Sequence, residues 1–136
     1  MSVANSNPRP RYDALVLDDD VDVASMLQDA LESIQGWTCL TLNSYEALLH
    51  RREAALSTRV AIVDINLGYG QTDGLAAFRW LREQDYPHPV VFLTGFDENH
   101  PAVAEVQEAC RQGRSRLVTK PVDVDELCAI LSRTRP

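Results

Sequence analysis

The chain is short of cysteine, of basic charge and of long apolar runs, and each shortage removes a class of protein. Three cysteines, Cys39, Cys110 and Cys128, form neither a CxxC pair nor an even disulfide set. Each falls in an apolar stretch and reads as a small buried hydrophobe. His50, His88 and His100 show no zinc-ligand spacing with them. No apolar run approaches the roughly 20 residues that cross a bilayer, and the opening MSVANSNPRPR lacks the apolar core of a signal peptide. The expected compartment is therefore the cytoplasm, with no membrane contact. Lys and Arg total 13 against 20 Asp and Glu, a net charge of −7, whereas direct nucleic-acid binding usually needs a basic face. No Gly-rich phosphate loop follows the first apolar run; three aspartates stand there instead, which argues against a nucleotide-binding enzyme.

What is present suits one globular domain. The 136 residues fit ordinary domain size, and 45% apolar with 24% charged residues is a typical balance. Residues 1–11 are polar, carry two prolines and read as a disordered arm, leaving a domain over 12–134. Apolar runs of strand length recur at Tyr12–Leu17, Trp37–Leu42, Arg59–Asp64, Pro89–Thr94 and Arg116–Thr119. Their Val, Ile and Leu content predicts strands covered on both faces.

Amphipathic stretches alternate with those runs. Val23, Leu27, Ala30, Leu31 and Ile34 mark the apolar face of a first helix. Asn43 with Glu46 suggests a capping box for a second helix reaching about Leu56. Leu75, Phe78 and Leu81 mark a third after the cap candidate Asp73. Pro101 suits the first turn of a fourth, capped by Asn99 or His100. Val124, Leu127, Cys128 and Leu131 mark a fifth after Asp123. Five βα units in series predict an α/β fold with a parallel, doubly wound sheet, helices on both faces and ligands at the carboxyl ends of the strands.

The polar residues gather at those ends. Asp18 and Asp19 follow the first strand, Asp64 ends the third, Thr94 ends the fourth and Lys120 follows the fifth. Carboxylates brought together there repel one another unless a cation sits among them. Mg²⁺ suits such a set, because it binds through one or two carboxylates and keeps waters or phosphate oxygens. Asp64 could then act as a carboxylate nucleophile forming an acyl phosphate. Lys120 and Thr94 would neutralise and bind the phosphoryl oxygens.

With LVLDDD, AIVDINL followed by DGL, VVFLTG and LVTKP in place, the sequence resembles the receiver domains of two-component response regulators, those of chemotaxis regulators included. Gly113, seven residues before Lys120, also matches. The resemblance spans about Tyr12 to Arg133. It implies a flavodoxin-like (βα)5 sheet of order 2-1-3-4-5. It also implies Asp64 as phosphoacceptor, with Thr94 and Lys120 as switch hydroxyl and phosphate-binding lysine. Asp18, Asp19, Asp64 and the backbone carbonyl of Asn66 would bind Mg²⁺, and the Lys120–Pro121 peptide would be cis. The implied donor is a sensor histidine kinase or phosphotransfer protein, and the output goes to a downstream protein or effector domain. The fourth predicted helix, fifth strand and fifth predicted helix would form the responding surface, available to a second copy as a homodimer face. Such a chain is a switch and not an enzyme in the ordinary sense.

Several positions depart from the family pattern. Leu117 stands where receivers commonly carry Tyr or Phe, and Gly95 replaces a common Ala. The loop LGYGQTDG, with Gly68 and Gly70, is about two residues longer than usual, which reads as a tolerated surface insertion. Phe96 occupies a position that tunes dephosphorylation in the family. These departures motivate the alternative of a degenerate receiver acting as a phosphorylation-independent interaction module. Trp37, Trp80 and Tyr86 read as packing residues, and Asp20 and Asp22 as acids favoured by a helix N-terminus. Arg111, Arg114 and Arg116 form a basic spot that reads as solvated charge.

Overall fold

Dense runs of Val, Ile and Leu leave the backbone one economical arrangement, a sheet buried on both faces. The computed structural model of the chain describes residues 12–65, 73–95 and 100–133. Its strands are β1 (Ala14–Leu17), β2 (Cys39–Leu42), β3 (Val60–Asp64), β4 (Val90–Thr94) and β5 (Ser115–Thr119). All pair in parallel, in the order β2-β1-β3-β4-β5. The helices are α1 (Val21–Ala30), α2 (Tyr45–His50), α3 (Arg52–Leu56), α4 (Asp73–Glu83), α5 (Pro101–Arg111) and α6 (Val124–Arg133). The expected flavodoxin-like (βα)5 architecture is therefore the observed one. Among the described residues, no helix is long and apolar enough to cross a membrane.

Successive strand residues point to opposite faces, and the core divides accordingly. Leu15, Leu17, Ala61, Val63, Val90 and Phe92 face α2 to α5, where Leu48, Leu75, Leu81 and Val106 meet them. Val16, Ile62, Val91, Leu93 and Val118 face α1 and α6, against Leu27, Leu31, Leu127 and Leu131. Burying each Leu, Ile or Phe contributes about 1.5–3 kcal/mol, so the two layers dominate stability. Trp37 and Trp80 are half-buried packing residues, and Tyr86 is buried.

The helix ends depart from expectation in informative ways. The second predicted helix breaks at Arg51, whose φ of −115° and ψ of 30° are not helical, giving α2 and α3. Its cap is Ser44, whose hydroxyl accepts from the Ala47 N–H at 3.0 Å; Asn43 is occupied elsewhere. The first helix ends in a π-helical turn, Leu31–Gln35, closed by Gly36 at φ 70°. The wider turn leaves Ile34 exposed, although helical spacing had set it on the apolar face. β1 starts two residues later than expected; just before it the Asp13 carboxylate accepts from the Thr38 N–H at 2.9 Å, while the Asp13 N–H donates to the Thr38 carbonyl at 2.8 Å. Asp20 does cap α1, accepting from the N–H groups of Asp22 and Val23, and His100 caps α5 through Nδ1. Cys39 and Cys128 are buried and Cys110 half-buried, all as free thiols. The 1–11 arm, Asn66, the loop with Gly68 and Gly70, Phe96, the alternative cap Asn99 and the last residues, 134–136, lie outside the described residues.

Candidate functional site

β1, β3, β4 and β5 are parallel, so their carboxyl ends meet at one edge of the sheet. Asp18 and Asp64 sit there at 0% and 3% exposure, Thr94 at 2%, and Asp19 is exposed beside them. One oxygen from each of Asp18, Asp19 and Asp64 lies within 4.8 Å of the others. The Lys120 ammonium donates to Asp64 Oδ2 at 3.0 Å and stands 3.3 Å from Asp18 Oδ2. Thus five of the six residues expected at the site converge, and the sixth, Asn66, lies outside the described residues.

The backbone holds this arrangement at several points. Asp18 Oδ1 accepts from the Asp20 N–H at 2.9 Å, which fixes the carboxylate at the start of α1. The Lys120 N–H donates to the Thr94 carbonyl at 2.7 Å, and the Ile65 N–H to the Leu93 carbonyl at 2.9 Å. The Lys120–Pro121 peptide is cis, as the resemblance implied.

Two positioning residues escaped the sequence reading. Asn43, at the end of β2, donates its side-chain amide to the Asp18 carbonyl at 3.0 Å. Gly74 lies so close to β3 that an added Cβ would stand 2.0 Å from the Asp64 carbonyl oxygen. Its own N–H donates to the Ile65 carbonyl at 3.2 Å, tying α4 to the end of β3. The DGL motif contained the only sequence signal for Gly74. For Asn43 the signal was misleading, since a polar residue before a helix suggests a cap.

Charge decides what the site can hold. Lys120 is the only lysine in the sequence, all other cationic side chains being arginine. A compact ammonium fits between carboxylates where a planar guanidinium would demand more room. Burial pulls the Lys120 pKa down, but the hydrogen bond and charge of Asp64, with Asp18 added, outweigh it and raise the value. One positive charge still faces three carboxylates. Asp18 Oδ2 is buried with no hydrogen-bond donor, only the ammonium at 3.3 Å. A buried anionic oxygen in that condition is costly. An all-oxygen set of carboxylates around it fits a hard divalent cation such as Mg²⁺.

This edge of acids with one lysine, on a 2-1-3-4-5 parallel sheet, defines a receiver-like domain. The response regulator receiver domain model matches residues 14–132, and the chain belongs to that family. The chain is similar to the regulatory protein AtoC of Escherichia coli (strain K12), at 33% identity over 88% of this chain and 24% of that protein. It is also similar to the DNA-binding transcriptional regulator NtrC of Salmonella typhimurium, at 31% identity over 87% of this chain and 24% of that protein. The receiver domain of NtrX from Brucella abortus superposes with a TM-score of 0.70 at 28% identity, covering 90% of this chain and 97% of that one. The chain spans about a quarter of the length of the curated relatives it matches.

Proposed function

We propose that the chain is a phosphorylation-activated switch in a two-component relay, with Asp64 as its phosphoacceptor. The observation that carries this is the Lys120 ammonium held at once against Asp64 and Asp18 inside a three-carboxylate cluster. In the proposed step, an Asp64 oxygen attacks the phosphorus of a phosphohistidine on a sensor kinase or phosphotransfer protein. A P–O bond forms as the P–N bond breaks, and the imidazole leaves with the electron pair. Asp18, Asp19 and Asp64, with the Asn66 carbonyl, would hold Mg²⁺, which when bound supplies positive charge to the phosphoryl oxygens. Lys120, already 3.0 Å from Asp64, is positioned to follow the charge onto those oxygens. Thr94, buried beside them, offers its hydroxyl to one.

The phosphorylated form would be favoured by contacts that only it can make with Thr94 and Lys120. α5, β5 and α6 form the responding surface, read by a downstream protein or effector domain or by a second copy. Catalysis is limited to the chain's own phosphorylation and dephosphorylation, in the cytoplasm, without direct contact to nucleic acid or membrane. A second reading, a phosphorylation-independent interaction module, is favoured by Leu117. It pairs with Phe92 in the sheet at a position where a swinging ring would be expected, and it is an aliphatic residue.

Both readings meet one test. With Mg²⁺ and acetyl phosphate, or with beryllofluoride, wild type should gain one phosphoryl adduct or its analogue, and Asp64→Ala should gain none. Adduct formation that is absent, or indifferent to Asp64, would overturn the switch and leave the interaction module.

A further inference from the structure

At the end of the sheet opposite Asp64, an open groove of about 630 Å³ runs between the last turns of α4 and α5. Both helices run back from the carboxyl ends of the strands, so the groove flanks the amino ends of β4 and β5. Phe78, Pro87 and Ala109 supply apolar wall. Arg79, Arg82 and Arg114 line the same space, with Glu83 as the single carboxylate of that lining among the described residues.

The guanidiniums are held but not all neutralised. Arg79 pairs with Glu105. Arg82 lies over the Phe78 ring, 5.2 Å from its centroid, and donates to the carbonyls of Tyr86 at 2.8 Å and His88 at 3.0 Å. Arg114 donates to the Pro87 carbonyl. Carbonyls orient a guanidinium without cancelling its charge, and among the described residues no carboxylate pairs with Arg82 or Arg114. Burial lowers the Arg82 pKa, Tyr86 opposes and the like charge of Arg114 adds to the lowering. Arg114 also adopts φ 62°, beside Gly113 at φ 100°. A long side chain seldom occupies that left-handed region, so the backbone carries strain while presenting this cation at the groove.

We propose that this groove docks a short segment of a partner protein in which carboxylates flank an apolar side chain. Guanidinium forks match planar carboxylates, and the walls of Phe78, Pro87 and Ala109 accept the apolar group. The volume falls within the roughly 300–1,000 Å³ of built ligand sites. An extended polyanion such as nucleic acid is disfavoured, because the chain's net charge of −7 opposes its approach. The site lies at the end of the sheet opposite the acidic edge, so its occupation leaves Asp64 accessible.

The test is an ¹⁵N NMR titration of the full chain with an acetylated pentapeptide carrying two aspartates on each side of one leucine. Saturable shifts are expected at Phe78, Ala109 and Gly113. Replacing the aspartates by asparagines should abolish them. Arg114→Asn, which keeps a residue tolerant of the left-handed backbone, should weaken binding about tenfold, the loss expected for one charge-assisted hydrogen bond. Gln112→Glu, which adds a carboxylate at the groove without removing either guanidinium, should weaken binding as well. That variant decides the matter should Arg114→Asn unfold. Equal binding of the asparagine peptide, shifts that map elsewhere, indifference to Gln112→Glu, or stronger shifts from oligothymidylate would each overturn the proposal.

Discussion

Lys120 holds an unusual position for a single residue, since its ammonium is the one positive group within 4 Å of both buried carboxylates, Asp18 and Asp64, among the described residues. Removing it leaves two anions facing each other with Asp19 alongside. Breaking a buried pair from one side costs about 3–5 kcal/mol, and partial exposure of the lysine puts Lys120→Met at the low end. A divalent cation can take over the neutralisation. Thermal melts of Lys120→Met should therefore show a marked loss of stability in chelator and a large recovery with Mg²⁺. Wild type should gain less from the same addition, because its carboxylates already share one cation. Equal responses to Mg²⁺ would show that the cation does not sit among these acids. The meeting of Asp18, Asp64, Thr94 and Lys120 at one edge was legible in the sequence because each closes an apolar run, and strand ends converge in a parallel sheet. Asn43 was not legible, because its partner is the Asp18 carbonyl 25 positions away.

At the scale of elements, the contact between α4 and β3 sets the depth of Asp64. Gly74 begins that contact, and a methyl group there would overlap the Asp64 carbonyl. Backbone cannot move aside as a flexible side chain can, so α4 must lift from the sheet. Gly74→Ala should cost about 1–3 kcal/mol or more in denaturant unfolding, as overpacking does, and should slow phosphoryl uptake at Asp64. Full stability in that variant would mean that the helix start adjusts freely. Helix position and phase were read well where period and burial agreed, as in α4 and α6. They were misread where local hydrogen bonding overruled the period. Arg51 interrupts the second helix although its neighbours are good helix formers, and the π-helical turn rotates Ile34 out of the core.

For the molecule as a whole, the groups with raised pKa values predict how stability depends on pH. Burial, then the charges of Glu32 and Asp13, pushes the Cys39 thiol up to about 12. Burial pushes the Tyr86 phenol up to about 12, against the hydrogen bond of Thr58 and the charge of Arg82. Lys120 is raised as well. Each group binds its proton more tightly when folded, so its contribution is complete below its unfolded pKa and is lost as pH rises through the folded value. The urea midpoint should accordingly fall from about pH 9 towards pH 12. Tyr86→Phe should flatten part of that fall while costing about 1 kcal/mol at neutral pH, since Thr58 keeps the Ala55 carbonyl as acceptor at 2.7 Å. A midpoint constant across this window would refute the assignment.

The sequence by itself determined the sheet, the family and the residues that end its strands. Apolar periodicity and polar punctuation are local properties, and a parallel sheet converts them into a shared edge with little further information. Distances were decided only in the tertiary structure. The 3.0 and 3.3 Å reach of Lys120, the burial of Asp18 Oδ2 against that ammonium, the close approach of Gly74 and the arginine-lined groove all depend on how separate elements pack together. Even where a short window contains both partners, as with Asp64 and Gly74, the geometry exists only once the helices have settled against the sheet.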